Sequence, residues 1–385
     1  MNMQYRVLYI LHDSTPYGGS SKSFLNMIDG LILKGVMPFV VLPDSNGICV
    51  NLKERGIPYY IIPIKMDIFP SVKKIRDFIL FIPRLLRVLF INNRAYLKIL
   101  DISKEIRPNL IHTNVGPIHT GYKVALKIGI PHVWHIREYQ DLDFNMKPLF
   151  SMREFVSKIH SNKNFPITIT QSIFDHFSLK LPARVISNGV LSSKLVEFDK
   201  KKEKYFLFAG RFEDSKGVKE TIKAFSKFTN YNSEYHLYLA GDTVDLVYMD
   251  SLLKLIESLN ITNRVLFLGM RNDISNLMAK ATAIIMASRY EGFGRVTAEA
   301  MFNGCLVIGR NTGGTKEILE KEKLGLLFLT DDELVEAMKT VVTQNIESYF
   351  PLIMKAQRFA IANYSNEQNI EKVFEFYNDI LLPKN

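Results

Sequence analysis

What most constrains the fold is an alternation that runs once through the chain and then begins again. In the first half YRVLYIL (5–11), PFVVL (38–42), PYYIIPI (58–64), NLIHTN (109–114), PHVWHI (131–136), PITIT (166–170) and ARVISNG (183–189) read as strands. They are apolar on both faces, as strands covered by helices on both sides should be. Between them, SKSFLNMIDGLILKG (21–35) and HTGYKVALKIG (119–129) carry helical spacing, and Gly129 stops the second. Strand–helix–strand alternation implies a parallel, doubly wound sheet.

The pattern restarts with KYFLFAG (204–210), YHLYLAG (235–241), RVLFLG (264–269), TAIIMAS (282–288), CLVIG (305–309) and LGLLFL (324–329). A chain of 385 residues is long enough for two such units. The expected fold class is therefore α/β, with two Rossmann-like doubly wound domains, 1–190 and 191–365. The charged run FDKKKEK (198–204) reads as the linker between them. The closing segment NEQNIEKVFEFYNDILL (366–382) has helical spacing, and the helix of 366–385 is expected to pack back on the first domain. Two such domains facing across a cleft would place their strand-to-helix loops where open α/β sheets bind ligands.

Composition narrows the class. The chain is 47% apolar and 23% charged, with two distant cysteines, Cys49 and Cys305, which suits a reducing cytoplasm. No signal peptide is expected, since VLYIL (7–11) is too short. The most lipophilic stretch, 78–91, contains Pro83, Arg84 and Arg87 and cannot supply the ~20 apolar residues of a membrane span. Charge is uneven: residues 1–190 hold 24 Lys and Arg against 13 Asp and Glu, whereas 191–385 hold 25 against 26. An anionic partner should therefore face the first half.

Five loops could do chemistry. In RYEGFGRVTAEA (289–300), Glu291 precedes Gly292 and Gly294, whose amides can approach a ligand at a helix N-terminus, and Glu299 lies on the first turns of that helix. A carboxylate suits the vicinal hydroxyls of a sugar or ribose. The plainer reading makes Glu291 a solvated loop residue and Glu299 a helix-dipole partner. In AGRFEDSKGVKETI (209–222), Arg211 and Lys216 stand before a helix and could hold a diphosphate, or be surface cations. HDSTPYGGSSKS (12–23) offers Gly18 and Gly19 at a third helix N-terminus, without the GxGxxG fingerprint. VWHIREYQ (133–140) brings His135 and Arg137 to a strand's carboxyl end, where a histidine is also a common packing residue; His112 and His119 read as packing. RNTGGTKEIL (310–319) carries Gly313 and Gly314, a ligand loop or a plain tight turn.

In this order, VISNGV, FAGRFEDSKGVKETIKAF, YLAG, VLFLGMRND and SRYEGFGRVTAEAMFNGCLVIGRNTGGTKEIL resemble the GT-B fold retaining glycosyltransferases of family 4. The resemblance covers the second half almost completely and is looser over 1–190, where WHIRE (134–138) and YGG (17–19) are similar to first-domain motifs. It implies a retaining transfer of a sugar from a UDP- or GDP-sugar donor to a glycan acceptor. Arg211 and Lys216 would hold the donor diphosphate, Glu291 the sugar hydroxyls and Glu299 the ribose. Gly292, Phe293 and Gly294 would contact sugar and phosphate, Met270, Arg271 and Asn272 would lie along the base, and Gly18 and Gly19 would close on the phosphate. His135 matches the histidine near the anomeric carbon, so His135 and Glu291 are the expected catalytic residues. Arg295 beside Val296 departs from the proline common among relatives. No cofactor, no metal and no nucleic-acid partner are expected. A catalytically silent GT-B subunit, binding a sugar nucleotide or a partner glycosyltransferase, and a sugar-nucleotide epimerase are the rivals.

One segment remains. SVKKIRDFILFIPRLLRVLFINNRAYLK (71–98) carries seven cations against the single acid Asp77, with apolar residues at helical spacing. It reads either as a core-packing helix or as an interfacial helix on the anionic cytoplasmic leaflet. The second reading implies a lipid-linked acceptor, and a cytoplasmic enzyme peripheral on the membrane's inner face, in surface polysaccharide biosynthesis.

Overall fold

A computed structural model of the chain describes residues 5–15, 19–70, 75–144, 146–148, 151–195 and 198–382. Two compact units emerge, Met1–Gly189 with Asn366–Asn385, and Val190–Ser365. In the first, the strands in chain order are β1 (Tyr5–Ile10), β2 (Val36–Leu42), β3 (Tyr59–Ile61), β4 (Ile68–Pro70), β5 (Leu110–Thr113), β6 (His132–Ile136), β7 (Met146–Pro148), β8 (Asn164–Thr168) and β9 (Arg184–Val185). Seven form one parallel sheet in the order β3-β2-β1-β5-β6-β8-β9, and β4 pairs antiparallel with β7.

The uninterrupted apolar character of β1 follows from its period of two. Val7 and Tyr9 enter the core on one face with Phe24, Ile28, Val373 and Tyr377, while Leu8 and Ile10 enter the other with Ile62, Ile99 and Val124. The first face is covered by helices Gly19–Leu33 and Asn366–Leu381, the second by Ile75–Ile106 and Thr120–Ile128. The terminal helix is tied down at its rim as well. Tyr5 donates to Asn378 at 2.8 Å, Arg184 pairs with Asp379 at 2.8 Å, and Ile370 packs directly over Gly30.

The second unit holds β10 (Glu203–Ala209), β11 (His236–Ala240), β12 (Val265–Gly269), β13 (Ala281–Met286), β14 (Val307–Arg310) and β15 (Leu326–Phe328), all parallel, in the order β12-β11-β10-β13-β14-β15. From β10 the chain winds outward through β11 and β12, then returns to β13 on β10's other side. The order reverses between β10 and β13, and in the first unit between β1 and β5. At such a switch point the loops part and leave a crevice beyond the carboxyl ends of the strands.

Three sequence expectations change. The run 198–204 is no linker: the chain passes between units at Gly189–Val190 and again at Ser365–Asn366. Its charges are used within the second unit, where Lys202 donates to the carbonyls of Ala279 and Gly304, Lys204 pairs with Glu234, and Glu203 already opens β10. ARVISNG forms only the two-residue β9, because Ser187 and Asn188 turn to bond Asn369 and Arg137 instead of extending the ladder. The basic helix runs over Ile75–Ile106, beyond the expected end at 98, and Lys73 and Lys74 lie outside the described residues. Among the described residues no helix is long and apolar enough to cross a membrane.

Candidate functional site

In the second unit three loops meet at the switch point. The first leaves β10 through Gly210 and Arg211 and makes a 3-10 turn, Asp214–Lys216, before helix Val218–Thr229. Gly217, between turn and helix, has φ +72°, and a Cβ there would stand 2.3 Å from the carbonyl oxygen of Ala287. Only glycine meets both conditions, so this loop lies directly on the one leaving β13. Arg289 sews the two together: its amide donates to Ser215 O at 2.9 Å, and its guanidinium pairs with Asp214 at 3.0 Å and Glu220 at 2.7 Å. The sequence reading missed Arg289, which belongs to no recognisable motif.

The third loop, after β14, is held as tightly. Gly314 N donates to Glu291 O at 2.6 Å, and Arg310 Nε to Ala287 O at 3.0 Å. A Cβ at Gly313 would lie 2.6 Å from Glu291 O, and one at Gly314 would lie 2.3 Å from Phe293 O. These glycines are thus required by the close approach of two backbones, which packs the β14 loop onto the β13 loop. Gly294, φ +84°, begins helix Arg295–Phe302. Phe293 is anchored in the interior, its ring 5.5 Å from that of Tyr364, so its backbone is set while its side chain is removed from the surface.

The charged residues fall on this frame. Lys216 Nζ meets Glu291 Oε2 at 2.9 Å, with 24% and 20% of their side chains exposed. Glu291 is therefore no freely solvated loop carboxylate; it faces the expected diphosphate lysine. Arg211 remains 76% exposed, 3.3 Å from Glu213. Glu299 is held by Arg295 one turn earlier, at 2.9 Å, and Arg295 also donates to Val190 O at 3.0 Å. Met270, Arg271 and Asn272 follow β12 and are exposed, with Arg271 turned onto Asp273 at 2.7 Å. All these groups sit at the carboxyl edge of one sheet. The arrangement brings together two cations, two carboxylates and the backbone of Gly292–Gly294, a set suited to a polyhydroxylated diphosphate.

The remaining predicted residues belong to the first unit. Gly18 lies outside the described residues; Gly19 opens helix Gly19–Leu33, and a Cβ there would meet nothing within 4 Å. His135 does not emerge at the end of its strand as expected: it lies inside β6 and is fully buried. Its Nδ1 faces His112 Nε2 at 3.2 Å and Arg137 at 3.3 Å, and its Nε2 has no hydrogen-bond partner among the described residues. His112 Nδ1 in turn meets the Tyr377 hydroxyl at 2.5 Å, which donates to Tyr9 at 3.2 Å. Burial, then the Arg137 charge, holds both imidazoles well below their ordinary range, so both stay neutral. Past the strand end, Arg137 donates to Asn114 at 2.8 Å and to Asn188, and Glu138 accepts from Gly116 N at 2.9 Å. His119 packs as expected, stacked on Phe155 and 3.7 Å from Asp67.

Residues 194–360 match the family described as glycosyl transferases group 1. The chain is 27% identical over 180 residues to N-acetyl-alpha-D-glucosaminyl L-malate synthase of Bacillus anthracis, covering 46% of each chain. It is 30% identical over 155 residues to the N-acetylgalactosamine-N,N'-diacetylbacillosaminyl-diphospho-undecaprenol 4-alpha-N-acetylgalactosaminyltransferase of Campylobacter jejuni, covering 40% of this chain and 41% of that one. These matches span less than half the length of either relative. Among solved structures, Anabaena HepE in complex with UDP superposes with a TM-score of 0.80 at 20% identity, covering 97% of this chain and all 100% of the other. The same Anabaena protein is also known with UDP-glucose, at a TM-score of 0.76 and 20% identity, covering 97% and 99%. The fold shared with these structures is GT-B, two Rossmann-like units.

Proposed function

We propose that this chain, whose residues 194–360 are a glycosyl transferases group 1 domain, transfers a sugar from a nucleoside-diphosphate sugar to a glycan acceptor with retention at the anomeric carbon. The single observation that carries this reading is the Lys216–Glu291 pair, 2.9 Å apart, where the β10 and β13 loops are locked together at the switch point. One ligand bearing a diphosphate next to a sugar satisfies both members at once. Lys216 and Arg211 take the phosphates, and Glu291 is released to the sugar hydroxyls. Glu299 takes the ribose, and the exposed Met270–Asn272 turn flanks the base. UDP is the favoured nucleotide, since it is what the Anabaena structures hold.

The donor already carries its leaving group. Transfer requires negative charge on the departing diphosphate to be stabilised while the sugar becomes oxocarbenium-like. Arg211, Lys216 and the amides at the start of helix Arg295–Phe302 supply that field in a metal-independent reaction. Glu291, turned to the sugar hydroxyls, is not assigned as a covalent nucleophile, and the acceptor attacks from the face the diphosphate leaves. His135, held neutral by burial and the Arg137 charge, is the histidine proposed to act near the anomeric carbon. The acceptor is a lipid-linked glycan of a surface polysaccharide, reached at the inner face of the membrane; the Campylobacter relative is named for a diphospho-undecaprenol acceptor.

The test is calorimetric titration of the purified protein with UDP- and GDP-sugars, followed by product analysis of any donor that binds. Binding of one class, with slow donor hydrolysis, is expected. No affinity for any nucleoside diphosphate overturns the proposal. Binding without turnover identifies a silent subunit, and conversion of the sugar nucleotide without acceptor an epimerase.

A further inference from the structure

Helix Ile75–Ile106 does two different things along its length. From Val88 onward one stripe, Val88, Asn92, Ala95, Ile99 and Ser103, is buried, with Ala95 and Ile99 packed against the sheet. These residues recur every three or four positions, as one helix face must. The opposite face should then be polar, and it is not. Ile79, Leu86 and Phe90 lie on it at 63%, 62% and 61% exposure, and Ile82, Leu89 and Leu97 continue it. The inner stripe satisfies the core-packing reading of this segment, but leaves the outer apolar stripe unexplained.

The cations are not scattered around this stripe. By the 100° step of an α-helix, Arg84, Arg87, Arg94 and Lys98 fall together along one flank of it. Arg94 lies 4.8 Å over the Phe90 ring and Arg84 5.9 Å over that of Phe69. Among the described residues, neither Arg84 nor Arg87 has a carboxylate partner. Beside them a cavity of about 290 Å³ is lined by Lys65, Met66, Ile68, Arg84, Arg87 and Met146. Lys65 and Met66 follow β3, and Ile68 and Met146 belong to the β4–β7 pair, so the cavity lies among segments that leave the carboxyl ends of β3 and β6.

We propose that this face docks on an anionic lipid surface, with Ile79, Leu86 and Phe90 entering the acyl boundary and a phosphate headgroup seated among Lys65, Arg84 and Arg87. The two chemistries run as parallel strips along one helix. A bilayer interface presents hydrocarbon beside phosphate in the same order. A second copy of the chain would need a matching acidic strip to serve as well; on the described part of this flank the acids are Asp101 and Glu105, both beyond Lys98 and away from Arg84 and Arg87, and Asp101 is already paired with Lys104 at 2.9 Å. The excess positive charge of residues 1–190 has its counterpart in the same surface. The inference rests on the acceptor half of the function proposed above, since a lipid-linked glycan is presented at such a surface.

Sedimentation with vesicles tests it. The whole protein should pellet with mixed phosphatidylglycerol–phosphatidylcholine vesicles and not with phosphatidylcholine alone. Each cation near the surface is worth about five-fold in partitioning. Arg84→Glu with Arg87→Glu should therefore lower binding by well over ten-fold, and Leu86→Ser with Phe90→Ser should abolish the part that survives high salt. All four positions are solvent-facing, so folding is checked by an unchanged melting temperature. Inorganic pyrophosphate should compete no better than sodium chloride of equal ionic strength; stronger competition would mark a free-phosphate site and overturn the lipid assignment. Equal pelleting with neutral vesicles, no effect of the serine pair, or concentration-dependent dimerisation lost in the serine pair would overturn it too. UDP binding measured in the same preparation separates the two proposals. Intact UDP affinity without vesicle binding refutes the docking face alone, whereas lost UDP affinity refutes the enzymatic reading.

Discussion

Replacing Lys216 by methionine tests the donor site most directly. The substitution keeps the length and apolar stem of the side chain and removes its charge. In the free protein Lys216 is engaged by Glu291 at 2.9 Å, both about one-fifth exposed, so a diphosphate must compete with a carboxylate for the ammonium. Loss of a hydrogen bond to a charged group costs about 1.5–3 kcal/mol. The dissociation constant for UDP should therefore rise roughly 10- to 150-fold. Glu291→Gln should behave in the opposite way. It keeps the shape but frees Lys216 from its internal partner, so UDP should bind as tightly as to the wild type, or a few-fold more tightly, while turnover collapses. Isothermal titration with UDP, paired with a transfer assay, reads both effects. If Lys216→Met bound UDP like the wild type, or if Glu291→Gln weakened UDP as much as it weakened transfer, the division of labour between phosphate and sugar would be wrong.

Other consequences are equally open to measurement. Glu299→Ala should weaken UDP itself by about 1–3 kcal/mol, because it removes the proposed ribose acceptor; titration with UDP checks it. Gly217→Ala forces a Cβ to 2.3 Å from Ala287 O at φ +72°, and should lower stability by more than about 1 kcal/mol in urea unfolding. Stability should also fall in acid. His132, fully buried between Thr113 and Asn164, is pushed by burial from its ordinary 6.5 down to about 4, so below pH 6.5 the unfolded chain takes a proton that the folded chain refuses. That single residue costs about 2 kcal/mol at pH 5, and the depressed His112 and His135 act in the same direction. His132→Gln should flatten the fall in melting temperature between pH 7 and pH 5.

The sequence by itself determined the architecture. Strand runs apolar on both faces can exist only between two helical layers, and helices between parallel strands are what the crossovers demand, so two doubly wound units could be read directly from periodicity. The loops carrying Arg211, Lys216, Glu291 and Glu299 were legible for the same reason, since chemistry in such sheets lies where strands end. Which groups then meet was a tertiary matter. Lys216 and Glu291 are 75 positions apart, and they touch because β10 and β13 are neighbours and Gly217 lets their loops close to contact. Arg289 gives no signal in the chain, because its role is defined by Asp214 and Glu220, which only folding brings near. His135 looked like a residue at a strand mouth but proved internal: the strand runs one residue past it, and the hydrogen bonds that hold it come from His112 and Arg137. The same limit applied to the basic helix. Periodicity showed that it had an apolar stripe, but a stripe is apolar whichever way it points. Only the packing of Ala95 and Ile99 against the sheet decided that Ile79, Leu86 and Phe90 are turned outward.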